Sequence, residues 1–161
     1  MPFVVSATEM ELVLEVGRDN SNEFFSKLYE IHQLATELFH KTLFSYRGKK
    51  AKAYLLKRGL NEESLKLFKV GFVPEGSSYL FDSIKSNNYD KEIIEKSGLF
   101  GFSGSKTYDR FRSRIMFPIS NTAGKIIAFG GRIFQKDDPA KYMNSPETPL
   151  YKKSEIFLVL I

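Results

Sequence analysis

From Phe24 to Phe39 the apolar residues Phe24, Phe25, Leu28, Ile31, Leu34, Ala35, Leu38 and Phe39 recur at spacings of three and four. That rhythm marks one face of a helix, and it predicts a long amphipathic helix from Asn22 to about Phe44, with Asn20 and Glu23 as a capping pair. Residues 1–21 show only weak alternation and are set aside as a leader or linker of uncertain structure. In the second half of the chain the rhythm gives way to β-branched and aromatic residues interrupted by glycines. A chain of 161 residues suffices for one domain with one core. Helices first and strands later predict an α+β fold closed by a small antiparallel sheet.

Gly48 breaks the first helix, and a second carries Ala51, Tyr54 and Leu55 up to a left-handed stop at Gly59. Lys57 and Arg58 fall in its last turn, where the helix dipole favours cations by ~0.3–1 kcal/mol, so Arg58 has a structural reading as well as a functional one. Asn61 caps a third helix to about Phe68, and Val70 to Val73 reads as a strand closed by Pro74 and Gly76. Short helices are expected near Tyr79 to Lys85 and from an Asp90 cap to Gly98. Asn121-Thr122-Ala123-Gly124 is a hairpin signal between two apolar strands.

Charge is distributed unevenly. From Lys41 to Arg58 there are seven Lys or Arg residues and no acid, and between Ser103 and Lys136 seven more stand against Asp109 alone. Such clustering argues for a phosphate-bearing partner more than the net charge of +5 does, although two solvated faces would also produce it. Without cysteine the chain has no thiolate nucleophile, disulfide or Cys-ligated zinc. The longest apolar run, Ile156 to Ile161, is far shorter than the ~20 residues a membrane-spanning helix needs, and no secretory leader pattern opens the chain. A cytoplasmic protein without membrane contact is expected.

In a strand from Arg110 to Ile119, alternation places Arg110, Arg112 and Arg114 on one face and Phe111, Ile115, Phe117 and Ile119 on the other. With a G1 bulge at Gly124, Asn121 pairs with Lys125, Arg114 faces Arg132 and Arg112 faces Phe134. Four guanidinium groups on one side repel one another, so they need an anionic ligand or carboxylates such as Glu92 and Glu95. A bulge at Gly130-Gly131 is the competing register, and it would turn Arg132 to the other face. The glycine pair is equally readable as a close approach for a ligand; it is not a Walker or dinucleotide loop, because no strand-to-helix turn accompanies it. Asp137 and Asp138 read as solvated loop acids, and His32 and His40 as surface or core-edge histidines.

The segment Lys141 to Thr148 puts a cation, an aromatic ring and an amide in a loop stiffened by Pro146. With Leu56 to Leu60, Val70 to Pro74, Tyr108 to Ile119 and Ala128 to Arg132, in that order, it resembles the catalytic core of bacterial DnaG-type DNA primases. The resemblance covers roughly Phe24 to Glu155 and implies the N-terminal subdomain of the RNA-polymerase core, assigned to residues 22–155. It implies that Arg58, Arg132, Lys141, Tyr142 and Asn144, with Arg110, Arg112 and Arg114 nearby, hold single-stranded DNA template and nucleotide triphosphates during RNA primer synthesis.

The same resemblance implies an RNA-DNA hybrid product and a replicative helicase docked through other parts of the protein. It also implies a zinc module before this region and a Toprim domain with catalytic magnesium after it, so the fragment alone is expected not to catalyse. Residues 156–161 would begin the connection to the Toprim domain, although family members usually have a Tyr-Gly segment there and this chain has a strand-like apolar run. Two other functions fit the residues: a non-enzymatic single-strand-binding module with Tyr142 and Phe129 as stacking platforms, and a protein-interaction domain using the N-terminal helix.

Overall fold

Leu28, Ile31, Ala35 and Phe39, spaced by three and four, are all buried on one side of helix α1 (Ala7–Leu43). The computed structural model describes residues 7–134 and 141–153, with side-chain surroundings from residue 22 onward. α1 starts earlier than the Asn20–Glu23 pair predicts: position 20 is helical interior rather than a cap. Helix α2 (Lys49–Lys57) stops before Gly59, which has φ 100°, and α3 (Glu62–Leu67) is capped by Asn61, whose side-chain oxygen accepts from Ser64 N at 2.8 Å. Strand β1 (Gly71–Val73) and helices α4 (Tyr79–Ile84) and α5 (Lys91–Lys96) follow where the sequence places them.

The strands of the second half are β2 (Phe100–Ser103), β3 (Lys106–Asp109), β4 (Arg114–Ser120), β5 (Ile126–Arg132) and β6 (Tyr142–Asn144). β1, β4, β5 and β6 form one antiparallel sheet in that order, while β2 and β3 form a separate hairpin. The fold is therefore α+β, helices followed by a small antiparallel sheet. α1, α4 and α5 cover one face of the larger sheet through Phe39, Leu80, Ile93, Met116 and Phe129. α2 and α3 cover part of the other through Leu55, Leu65, Phe72 and Ile115, leaving the rest of that face open.

The β2–β3 hairpin is an addition to the sequence expectation, and it shortens the next strand. β4 begins at Arg114 rather than Arg110 because Ser113, at φ 54°, takes a left-handed turn and donates its N–H to Pro74 O. Asp109, the single acid among the second basic block, is buried and accepts from Leu80 N (2.7 Å) and Phe81 N (3.0 Å). It closes the N-terminus of α4 instead of neutralising arginines. Burial raises its carboxyl pKa against these two backbone bonds.

His32 is not at the surface or core edge: it is fully buried, stacked on Phe129 with ring centroids 5.9 Å apart. Its Nδ1 lies 2.7 Å from Leu28 O, which can only accept, so that nitrogen carries a proton. Burial holds its pKa below the usual 6.5. The unfolded chain therefore takes up a proton near pH 6.5 that the folded chain refuses, and stability falls as pH drops below that value, by at most ~1.4 kcal/mol per pH unit. His32→Phe is expected to flatten the decline in melting temperature between pH 7 and pH 5; an unchanged slope would assign the decline to other groups. His40 sits half-buried, and its Nδ1 donates to Val70 O at 2.7 Å, tying α1 to the edge of β1.

Candidate nucleic-acid interface

The hairpin closes as its sequence predicts: Gly124 has φ 82°, and Asn121 N donates to Lys125 O. Ser120 then pairs with Ile126, but Ile119 pairs with Ala128. Ile127 is the extra residue, so every later pairing slips by one. Arg132 consequently lies opposite Ile115 instead of Arg114. A one-residue slip changes faces, and Arg132 is moved onto the open face that also carries Phe117 and Ile119. The bulge falls at Ile127, which is buried with Ala128 and Tyr151, and not at the glycine pair.

Gly131 faces the covered side, where a Cβ would meet Arg114 Cδ and Phe111 Cδ1, each at 2.9 Å. Gly130 faces the open side, where a Cβ would meet only Asn144 Oδ1, at 3.2 Å. The close approach that this pair permits is thus internal at one glycine and open to a ligand at the other.

Arg58, Arg132, Tyr142 and Asn144 line one groove of about 730 Å³ between α2–α3 and the open sheet face. Its floor is apolar, with Leu65, Ile115 and Phe117. Tyr54 organises the cations: its ring centroid is 5.4 Å from the Arg58 guanidinium carbon and 5.9 Å from that of Arg132. Arg132 also stacks on Tyr142 at 5.3 Å and donates Nη1 to its hydroxyl at 3.1 Å. Tyr54 is absent from the sequence expectation. Its signal was the Tyr54–Arg58 spacing of four, which puts the two on one helix face.

Arg58 and Arg132 have no carboxylate partner among the described residues. Two guanidinium groups sharing one ring leave positive charge to be offset by an anion. Lys141 is exposed beside Tyr142, at the start of β6; its backbone oxygen accepts from Ile133 N. Ser145 anchors the same loop, accepting from Phe129 N at 2.9 Å through its hydroxyl. Half of the Lys141–Thr148 segment is therefore packing.

The structure does not gather Arg110, Arg112 and Arg114 with Arg132 on one strand face. Arg114 is 6% exposed and donates to Gly131 O (3.2 Å) and Lys141 O (3.3 Å), joining the ends of β5 and β6 from the covered side. Arg110 follows β3 and donates to Asn144 O at 3.1 Å, holding β6 in place behind the groove. Arg112 is exposed over the ring of Tyr108. The alternative salt bridges to Glu92 and Glu95 do not form with Arg110 or Arg112; Glu95 pairs with Lys91. Phe129 is fully buried against Phe39, so it is no stacking platform.

Among the described residues no three His, Asp or Glu side chains gather, and the chain has no Cys. These residues build no site for magnesium or zinc. Asp137, Asp138 and residues 154–161 lie outside the described residues. No helix among the described residues is long and apolar enough to cross a membrane.

Residues 38–160 match the family model of the DNA primase catalytic core, N-terminal domain. The chain is similar to the DNA primase of Listeria monocytogenes, with 37% identity over 94% of this chain and 25% of that protein. It is also similar to the DNA primase of Lactococcus lactis, with 40% identity over 85% of this chain and 22% of the relative. It thus spans about a quarter of the length of these relatives. Among solved structures, a DnaG primase catalytic domain bound to single-stranded DNA superposes with a TM-score of 0.74 and 33% identity, over 81% of this chain and 41% of that one. A DNA primase domain from Pseudomonas aeruginosa gives 0.70 and 41%, over 78% and 40%.

Proposed function

Given that the chain belongs to the family of DNA primase catalytic core N-terminal domains, we propose that its groove holds single-stranded DNA template and an incoming nucleotide triphosphate during RNA primer synthesis. The carrying observation is the pair Arg58 and Arg132 on the Tyr54 ring, at the mouth of an apolar groove and without carboxylate partners. Guanidinium forks suit phosphate oxygens, Tyr142 offers a half-exposed ring to a base or sugar, and Asn144 supplies both a donor and an acceptor. The apolar floor excludes water and strengthens these contacts.

In a longer protein the groove would face the domain that supplies magnesium, and the strand it holds would become an RNA-DNA hybrid. Zinc, the replicative helicase and cytoplasmic replication belong to that same reading. The residues of this chain bind and orient: Arg58 and Arg132 hold phosphates, Tyr142 aligns a base, and Arg110 and Arg114 fix the β6 edge from behind. Phosphoryl transfer itself needs groups that the described residues do not provide.

Affinity for single-stranded DNA should fall with salt by ~0.7 log units per log unit for each phosphate neutralised. Arg132→Ala and Lys141→Ala are each expected to reduce that slope by about one such increment. Anisotropy titrations of a labelled oligonucleotide across a salt series measure this. Wild-type affinity independent of salt would overturn the proposal.

A further inference from the structure

We infer that the corner between α1 and α2 is a second contact for single-stranded nucleic acid, with Tyr46 as a stacking platform that continues the strand's path out of the groove. Tyr46 is 89% exposed, and among the described residues its ring touches no other ring or cation. A large aromatic left this open has no packing role. It is nevertheless held firmly. The short 3-10 turn Tyr46–Gly48 is fastened to the end of α1 by Ser45, whose N–H and hydroxyl both donate to Thr42 O, and by Gly48 N donating to Ser45 O. Arg47 stacks over Tyr79 at 5.1 Å, and the Tyr79 hydroxyl lies 2.8 Å from Thr42 Oγ1. A ring on a rigid mount loses little entropy when a base stacks on it.

The surroundings fix the sign of the partner. Of the seven cations from Lys41 to Arg58, only Lys52 has a carboxylate partner among the described residues, Glu62. Lys49 and Lys50 are exposed directly after the turn, in a helix whose first turn contains no acid. Lys50 and Lys57 share the exposed side of α2 at a spacing of seven, and Arg58 follows at the groove. α2 is nine residues long, about 13 Å, which a stacked strand covers in about four nucleotides. An aromatic ring beside a lysine track leading from a phosphate groove is the pattern that single strands bind without sequence preference.

This contact rests on the groove reading, so the test separates the two. The 161-residue chain is titrated with labelled oligothymidylates of about four and about twelve nucleotides, bracketing the usual site sizes. Tyr46→Ala is expected to weaken the longer oligonucleotide by about tenfold and leave the shorter one unchanged, whereas Tyr46→Phe keeps both affinities. Lys49→Ala with Lys50→Ala should lower the salt slope for the longer strand only. Arg132→Ala should weaken both lengths. Equal affinity of Tyr46→Ala and wild type for the longer strand would overturn the second contact while leaving the groove intact. Insensitivity of both lengths to Arg132→Ala would overturn the groove instead.

Discussion

Arg114→Ala is expected to lower the melting temperature by about 6–12 °C, whereas Arg132→Ala, on the neighbouring strand, changes it by about 3 °C or less. The difference follows from where the two guanidinium groups lie. Arg114 is buried and donates to the backbone oxygens of Gly131 and Lys141, so truncation strands two shielded carbonyls and empties the space its stem fills against Gly131. Bonds from a charged donor contribute about 1.5–3 kcal/mol each, and a loss of about 3 kcal/mol in total is a conservative sum. At about 2–4 °C per kcal/mol for a domain of this size, the stated shift results. Arg132 loses one bond to a tyrosine hydroxyl and two ring contacts near solvent, worth about 1 kcal/mol.

Single-strand affinity should move the other way: Arg132→Ala weakens it at unchanged fold, and Arg114→Ala weakens it only as far as β6 loosens. Thermal unfolding and anisotropy on the same two variants check both halves. An Arg114→Ala variant melting within about 2 °C of wild type would return Arg114 to the ligand-binding set.

That contrast also marks the limit of what the sequence discloses. Periodicity located every helix of the first half, and Gly59, Asn61 and Gly124 stopped, capped or turned the chain where their chemistry requires. The start of α1 was not legible, because Asn20 and Glu23 form a capping pattern that the helix runs through. Nor was the sheet register. Nothing in Ile126-Ile127-Ala128 marks a bulge, since neither glycine nor proline is present; Tyr151, arriving from beyond β6, buries Ile127 and takes the slip.

Strand alternation treated Arg114 as a surface cation because arginine is seldom buried without partners, and those partners are backbone atoms brought in from residues 131 and 141. Ser113 adopts a left-handed conformation with no glycine to announce it. Local rules therefore identified Arg58, Arg132, Lys141, Tyr142 and Asn144 by neighbourhood, while the long-range register decided which arginines share the groove.

Gly71→Val should destabilise the fold by about 3 kcal/mol, again about 6–12 °C, although valine is the better strand former. Propensity favours the substitution by at most ~1 kcal/mol. Against that stands the seam between β1 and α1: a Cβ on Gly71 would lie 2.5 Å from Phe39 Cβ, 2.6 Å from Phe39 C and 2.8 Å from Phe39 O. Two of those atoms are helix backbone, so no rotamer change relieves the clash, and the strand must move away from the helix.

Moving it would stretch the adjacent bond from His40 Nδ1 to Val70 O and open the core around Phe39 and Val73. Gly71→Ala should already show most of the loss, because the first carbon makes the collision. Trimming the opposing ring with Phe39→Ala cannot restore stability, since Phe39 Cβ and backbone remain and a cavity costing about 3–5 kcal/mol is added. Urea or thermal unfolding of the two single variants and the double variant decides the matter. Rescue of Gly71→Ala by Phe39→Ala would mean that the seam is held by the ring and not by the backbone approach.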